Sequence, residues 1–481
     1  MAVSLFKKKD VDMTVGSIPK LIFGFFVPMV AGLFLQQLYN AVDMIMVGQF
    51  ASAQSMAAVG GMSSITNTFV LFCSGIAIGA GVIVSQYYGK HDSENIKKAV
   101  SSSVILGLIL SAIMTILGLA LTKPLLLLMK SNDDIIGYAT TYLLIYFGGV
   151  SGLIMYNMLT SIFRAVGDST RPLIYLIISS IINIVLDLLF VAVFKWDVIG
   201  AGIATIIAQF VSASCAFIYL TRLNTDYKID LKNLKMDKRI TRNILLIGLP
   251  AGIQSSITGF SNTFLQSYIN AFGSNYEAGY SVFLKIEHFT TVLATSFGYA
   301  ITSFVGQNVG ANKIKRACKG VTFTMFASVL CATVLIVPTV IFARPLSMAF
   351  TPDIGVVDAS VYILLLISPF QVFQNVNTTF MSALRGIKKT KTSMFINVGS
   401  FVAFRQIYLL IISAVLPNNI MYVLLSFPIG WFIACIGQMI AWFASPLSKA
   451  NRIIKKHPEA KGLSVKQFIE WKKNGFPQLE K

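Results

Sequence analysis

The chain has 481 residues, of which 55% are hydrophobic and only 12% charged, with a formal net charge of +19. A soluble globular domain is about one-quarter charged, so this composition excludes one. No period-2 alternation runs through the apolar stretches, which excludes a membrane β-barrel.

Twelve apolar runs follow one another, each long enough to cross a ~30 Å hydrocarbon core as a helix. They span 19–48, 56–85, 98–122, 135–161, 173–194, 198–221, 243–271, 277–306, 317–343, 354–383, 392–415 and 419–445. The first run is longer than a signal-peptide core and is read as a retained span. It carries Pro28, Gln37 and Asp43, the fourth carries Asn157, and the fifth carries Asn183 and Asp187. Thr205 stands in the sixth. The linker 223–242 is polar and basic and divides six runs from six. Beyond it come Gln254 in the seventh run, the stretch Lys285, Ile286, Glu287, His288 in the eighth, and Arg405 in the eleventh. Residues 446–481 form a basic tail, in which 464–471 could lie as a short helix on the bilayer surface.

With twelve spans, both termini and every even-numbered connection share one side. That side holds Lys7, Lys8, Lys9, Lys20, the bases of the linker and nearly all others, whereas the opposite side holds Lys123, Lys130, Lys195 and Arg344. The asymmetry places both termini in the cytoplasm. Topology therefore accounts for the basic balance, and no nucleic-acid partner is expected. The five cysteines lie within the apolar runs with no C-x-x-C spacing, so neither a disulfide framework nor a zinc site is expected.

The two halves repeat. Pro28 and Pro250 stand 222 residues apart, as do Asn40 and Asn262; Gln86 and Gln307, and Arg164 and Arg385, stand 221 apart. Six spans per half is an even number, so the halves insert alike and their pseudo-twofold axis runs along the membrane normal. The expected fold is an all-α integral membrane protein of two six-helix lobes. The N-lobe is 1–222, the linker 223–242, the C-lobe 243–445 and the tail 446–481. Because the duplication supplies both halves, a monomer is expected.

No phosphate-binding G-x-x-x-x-G-K-[ST] loop occurs, and no acid, base and nucleophile cluster by spacing, so no enzyme is indicated. What remains is charge inside the membrane, which defaults to function. At ~1.5 Å per residue, Asp43 lies about 7 Å, and Asp187 and Thr205 about 10 Å, below the outer end of their spans. Asn183 and Asp187 share a helix face at i, i+4. Two carboxylates, an amide and a hydroxyl at one depth suit a hard monovalent cation, or two close carboxylates holding a proton. The alternative is a solvated Asp43 and a hydrogen-bonded Asp187. In the second half, Leu265 replaces Asp43, and Phe404 and Tyr408 stand near the places of Asn183 and Asp187. Lys285, Glu287, His288 and Arg405 form a second cluster, read either as a structural Glu287–Arg405 ion pair or as a substrate or coupling site. Gln37, Asn157 and Gln254 are candidates to line a substrate path.

The stretches 28–48, 79–89, 163–172, 183–187 and 304–312 together resemble the multidrug and toxic compound extrusion (MATE) family across essentially the whole chain. The resemblance implies a bacterial cytoplasmic-membrane transporter whose lobes open alternately. It implies export of bulky, often cationic organic compounds or drugs in exchange for Na⁺ or H⁺, with no cofactor beyond the transported ion and membrane lipid as surroundings. The family's N-lobe cation site falls on Asp43, Asn183, Asp187 and Thr205, which would hold Na⁺ in a sodium-coupled member. Its helix-one hinge proline falls on Pro28. One branch of the family adds acids on helices seven and ten, and this chain has none there. The runner-up is a lipid-linked oligosaccharide flippase of a related superfamily, which would show a cationic cleft.

Overall fold

The computed structural model describes residues 10–50, 53–128, 133–416, 419–456 and 467. Among these, twelve helices are long and apolar enough to cross a membrane, in the order expected. The first six are α1 (Ile18–Phe50), α2 (Ala53–Gly89), α3 (Ser93–Leu128), α4 (Asp133–Ala165), α5 (Thr170–Asp187) and α6 (Asp197–Arg222). The next three are α7 (Lys238–Asn270), α8 (Ser274–Gly310) and α9 (Ile314–Ile341), followed by the short α10 (Ala343–Met348). The tenth span is α11 (Ile354–Ile367) and α12 (Gln371–Gly386), joined by a 3₁₀ turn at Ser368–Phe370. The eleventh is α13 (Thr390–Val398) and α14 (Arg405–Val415), joined by a π-helix at Gly399–Phe404. The twelfth is α15 (Ile420–Ala444), and α16 (Pro446–Lys456) follows it. The tail helix expected at 464–471 lies outside the described residues.

Helix is the only solution open to such runs in lipid, because each backbone group must find its partner within the segment. Three spans depart locally from the α form, the tenth in its 3₁₀ turn and two in π-helices. The fifth continues from Asp187 into a π-helix at Leu188–Val193, where the Phe194 N–H reaches the Leu189 carbonyl at 2.9 Å. In the eleventh, the Ser261 hydroxyl donates to the Phe401 carbonyl inside the π-helix at 2.7 Å. π-turns of this kind gather at functional sites.

The chain divides into two compact units. Unit 1 comprises Met1–Val11, Val27–Tyr88 and Asp92–Ser256; unit 2 comprises Asp12–Phe26, Gly89–His91 and Ile257–Lys481. The division falls inside α1 and α7, near Pro28 and Pro250, each of which stands within its helix. Proline removes one rung of the hydrogen-bond ladder and weakens the helix there. The linker belongs with unit 1 and is pinned to it. Tyr227 and Ile229 are buried, the Ile229 N–H donates to Leu220, and Asp237 accepts from the Ile240 N–H at 2.8 Å.

Within unit 1, α2 and α7 meet backbone to backbone. A Cβ at Gly75 would stand 2.1 Å from the Gly252 nitrogen, and one at Gly79 would stand 2.4 Å from the Ile244 carbonyl oxygen. Such small-residue seams are how helices pack closely without a hydrophobic drive from lipid.

The first described residues are also anchored. In unit 1, Asp10 accepts from the Tyr227 hydroxyl and from Arg171 Nη1, whose partner Asp168 is 2.6 Å away. Asp168 lies between two spans, and burial pushes its carboxyl up against the pull of Arg171. In unit 2, Met13 is fully buried. Its N–H donates to Gln307 Oε1 at 2.8 Å, and its carbonyl accepts from Asn308 and Arg316.

Candidate functional site

The fifth span brings its polar residues to one buried line. Ser179, Asn183 and Asp187 are spaced by four residues along α5, and all three are buried. Asn183 and Asp187 are fully excluded from solvent. With its amide oriented to satisfy both ends, Asn183 donates from Nδ2 to Asp187 Oδ2 at 2.9 Å and accepts from the Thr205 backbone N–H at 3.3 Å. The Thr205 hydroxyl donates to the Ala201 carbonyl of its own helix at 2.9 Å, which leaves its oxygen lone pairs as acceptors. Asn183, Asp187 and Thr205 therefore form one connected group across α5 and α6. Asp43 stands on α1, and its side chain lies outside the described part of the structure.

Chemically, the group holds a carboxylate steadied by an amide, with hydroxyl oxygen on the neighbouring helix. Oxygen donors of this kind suit a hard cation or a proton. The π-helix beginning at Leu188 follows Asp187 directly, so the carboxylate sits where the regular helix ends.

The second cluster does not assemble. Lys285 is exposed, with its ammonium 5.7 Å from the Phe350 ring centre. Glu287 accepts from Thr291 of its own helix at 3.1 Å, and His288 is exposed. No ion pair joins Glu287 to Arg405 among the described residues. Arg405 instead donates from Nη1 to Asn262 Oδ1 at 2.8 Å, with its guanidinium carbon 5.0 Å from the Phe427 ring centre and 5.5 Å from that of Phe401. A neutral amide and two ring faces have taken the place of the expected carboxylate. Asn157 donates to the Leu153 carbonyl one turn back, Gln254 is buried, and Gln37 is half-buried.

Sequence reasoning missed the Arg405–Asn262 contact, although Asn262 was visible as the repeat partner of Asn40. It also missed the anchoring of residues 10–15, whose partners lie far along the chain.

Comparison with known proteins gives a consistent family. A family model described as MatE matches residues 28–189 and 250–411. The probable multidrug resistance protein YpnP of Bacillus subtilis is 30% identical over 310 residues, covering 64% of this chain and 69% of that protein. YoeA of the same organism, also a probable multidrug resistance protein, is 27% identical over 68% of this chain and 73% of its own length. The multidrug export protein MepA of Staphylococcus aureus is 22% identical over 72% and 76%. Among solved structures, an outward-facing multidrug resistance MATE transporter of the MOP superfamily superposes with a TM-score of 0.86 at 22% identity, over 92% of this chain and 99% of that one. A MOP superfamily transporter from Pyrococcus furiosus, described as having a binding pocket of reverse polarity, gives 0.85 at 22% over 90% and 97%. These structures share the twelve-helix, two-lobe fold.

Proposed function

The chain belongs to the MatE family of bacterial multidrug efflux transporters, and from that membership we propose that it is an antiporter, exporting bulky organic cations in exchange for Na⁺ or H⁺ bound at Asp187. The observation that carries the coupling reading is the Asn183–Asp187–Thr205 group, in which Asn183 and Asp187 are fully buried. An ionisable residue buried in a span is costly unless it works. Asp43 is proposed as the fourth member from its depth and its place in the first-helix motif.

A cation bound at this group neutralises Asp187 and draws α5 and α6 onto one centre. The bare carboxylate repels acceptors that the bound form gathers. Coupling follows if the ion and the organic substrate favour different states of the transporter, since a ligand shifts an equilibrium only by its differential affinity. Pro28 and Pro250 weaken α1 and α7 near the points where each helix passes from one unit to the other, and they are proposed as the hinges. The basic bias of the even-numbered connections supports cytoplasmic termini in the inner membrane.

The test is efflux of a cationic dye from proteoliposomes of purified protein, with Na⁺ and pH gradients imposed separately. Efflux under one gradient and its loss in Asp187→Asn are expected. An Asp187→Asn protein that is folded and retains gradient-driven efflux refutes the site. No efflux of any dye under either gradient refutes antiport and moves attention to lipid-linked substrates.

A further inference from the structure

We propose that Arg405 is a resident cation. Its guanidinium fills, in unit 2, the place that corresponds to Asn183 and Asp187 in unit 1, and it leaves the chain with one exchangeable cation site rather than two. The inference rests on the reading of Asp187 as the coupling carboxylate.

The correspondence comes from the repeat. An offset of 221 holds for Gly167 and Lys388, both of which have positive φ, and for the buried pair Ser179 and Ser400. The matched segments, however, end at 189 and 411, which is 222 apart. One residue has entered the second copy in between, and the π-helix Gly399–Phe404 lies there. A π-turn holds one residue more than an α-turn. Beyond it, Arg405 answers to Asn183 and Leu409 to Asp187. Burial agrees, because Arg405 and Leu409 are buried at i, i+4 whereas Phe404 and Tyr408 are only half-buried. On this reading Arg405 and Leu409, rather than Phe404 and Tyr408, stand at the two positions. On the first helix of the half, Asn262 answers to Asn40 and Leu265 to Asp43.

Every acid of the unit 1 set has thus become leucine, and Leu265 and Leu409 are fully buried. No carboxylate stands at the corresponding positions. Yet a positive charge is there. Arg405 is 2% exposed, held by the Asn262 carbonyl oxygen and flanked by the Phe401 and Phe427 rings. Its Nε finds no partner among the described residues. An amide oxygen with two aromatic faces is a cation pocket that needs no carboxylate. The guanidinium cannot be deprotonated, so its charge is permanent. Unit 2 is therefore always in the counterpart of the cation-bound state, and only unit 1 exchanges.

The test uses the purified full-length chain in lipid nanodiscs. Arg405→Ala empties the pocket. Low-millimolar guanidinium chloride is expected to raise the unfolding temperature of this variant, whereas urea, the neutral isostere, leaves it unchanged. Rescue by both, or by neither, overturns the proposal, because the pocket then has no preference for charge. Should Arg405→Ala not fold, Arg405→Lys and Arg405→Gln are compared. Lys must be the more stable of the two, and a Gln variant at least as stable as Lys overturns the proposal. Counting bound cations separates this inference from the coupling reading. Wild type should take up one Na⁺ or proton per chain and Asp187→Asn none. Two in wild type with one remaining in Asp187→Asn overturns the resident cation, whereas one in both refutes Asp187 as the coupling carboxylate. None in wild type refutes the coupling reading instead, and the guanidinium–urea comparison still decides Arg405.

Discussion

Adding a single methyl group should have opposite effects at two glycines of unit 1. At Gly75, a Cβ would stand 2.1 Å from the backbone nitrogen of Gly252 and 2.3 Å from its Cα, where ordinary contact begins at 3.4 Å. The obstacle is backbone on both sides, so no rotamer change relieves it. The helices α2 and α7 must separate by about 1.3 Å at this point. That opens the seam through Gly79 and Gly248, where the same close approach recurs. Overpacking against a well-packed neighbour costs about 1–3 kcal/mol, and an unyielding backbone puts Gly75→Ala at the upper end. Gly148 is also inside a helix, but a Cβ there meets nothing within 4 Å. Gly148→Ala gains only helix propensity, about 1 kcal/mol. Thermal unfolding of the purified variants in one detergent should place Gly75→Ala below wild type and Gly148→Ala at or above it. A Gly75→Ala protein as stable as wild type would refute the close seam between α2 and α7.

Asp187→Asn should fold with a normal elution profile yet lose gradient-driven dye efflux, and Asp43→Asn should do the same. Lys285→Ala and Glu287→Gln should keep most of their efflux, because among the described residues neither side chain pairs with another ionised group; loss in both, measured in the same vesicles, would restore the second cluster as a coupling site. Thr14→Cys should resist maleimide, since Thr14 is buried. Adding Arg316→Ala removes the guanidinium that holds the Met13 and Val15 carbonyls and should make that cysteine reactive. Ser261→Ala leaves the Phe401 carbonyl without its 2.7 Å donor and should cost about 1–3 kcal/mol, read as a lowered unfolding midpoint.

The helices were legible because hydrophobicity and length are nearly the whole rule for a span. The Asn183–Asp187 pair was legible because i, i+4 spacing puts two residues on one face whatever surrounds the helix. Arg405 was not. Depth alone favoured Glu287, the acid nearest its level, and charge matching favoured it again. Depth does not say which way a side chain turns, however. Glu287 turns to Thr291 on its own helix, and Arg405 turns to Asn262 on another. The seam of glycines was hidden for a similar reason. Gly75 and Gly79 are spaced to face one way, but which helix meets them is a tertiary fact. The anchored residues 13–15 gave no local signal at all, since their backbone is held by Gln307, Asn308, Lys313 and Arg316.

The repeat itself explains how the two halves diverged in charge. In unit 1 the π-helix comes after Asp187, so Asn183 and Asp187 still lie on the regular face of α5 with Ser179. In unit 2 the π-helix comes before Arg405, and the extra residue turns everything after it by about a quarter-turn or slightly more, the ~100° step of a 3.6-residue helix. That turn brings position 405 to the buried face and carries Phe404 and Tyr408 off it, where they stack on each other with ring centres 6.0 Å apart. The placement of one residue thus decides which side chain faces Asn262. Were 399–404 to run as a regular α-helix with the same residues, Phe404 would turn inward and the guanidinium would be expelled. The permanent charge of unit 2 therefore depends on the backbone at 399–404 as much as on Arg405, and Ser261, which holds the Phe401 carbonyl there, is part of what keeps the guanidinium in place.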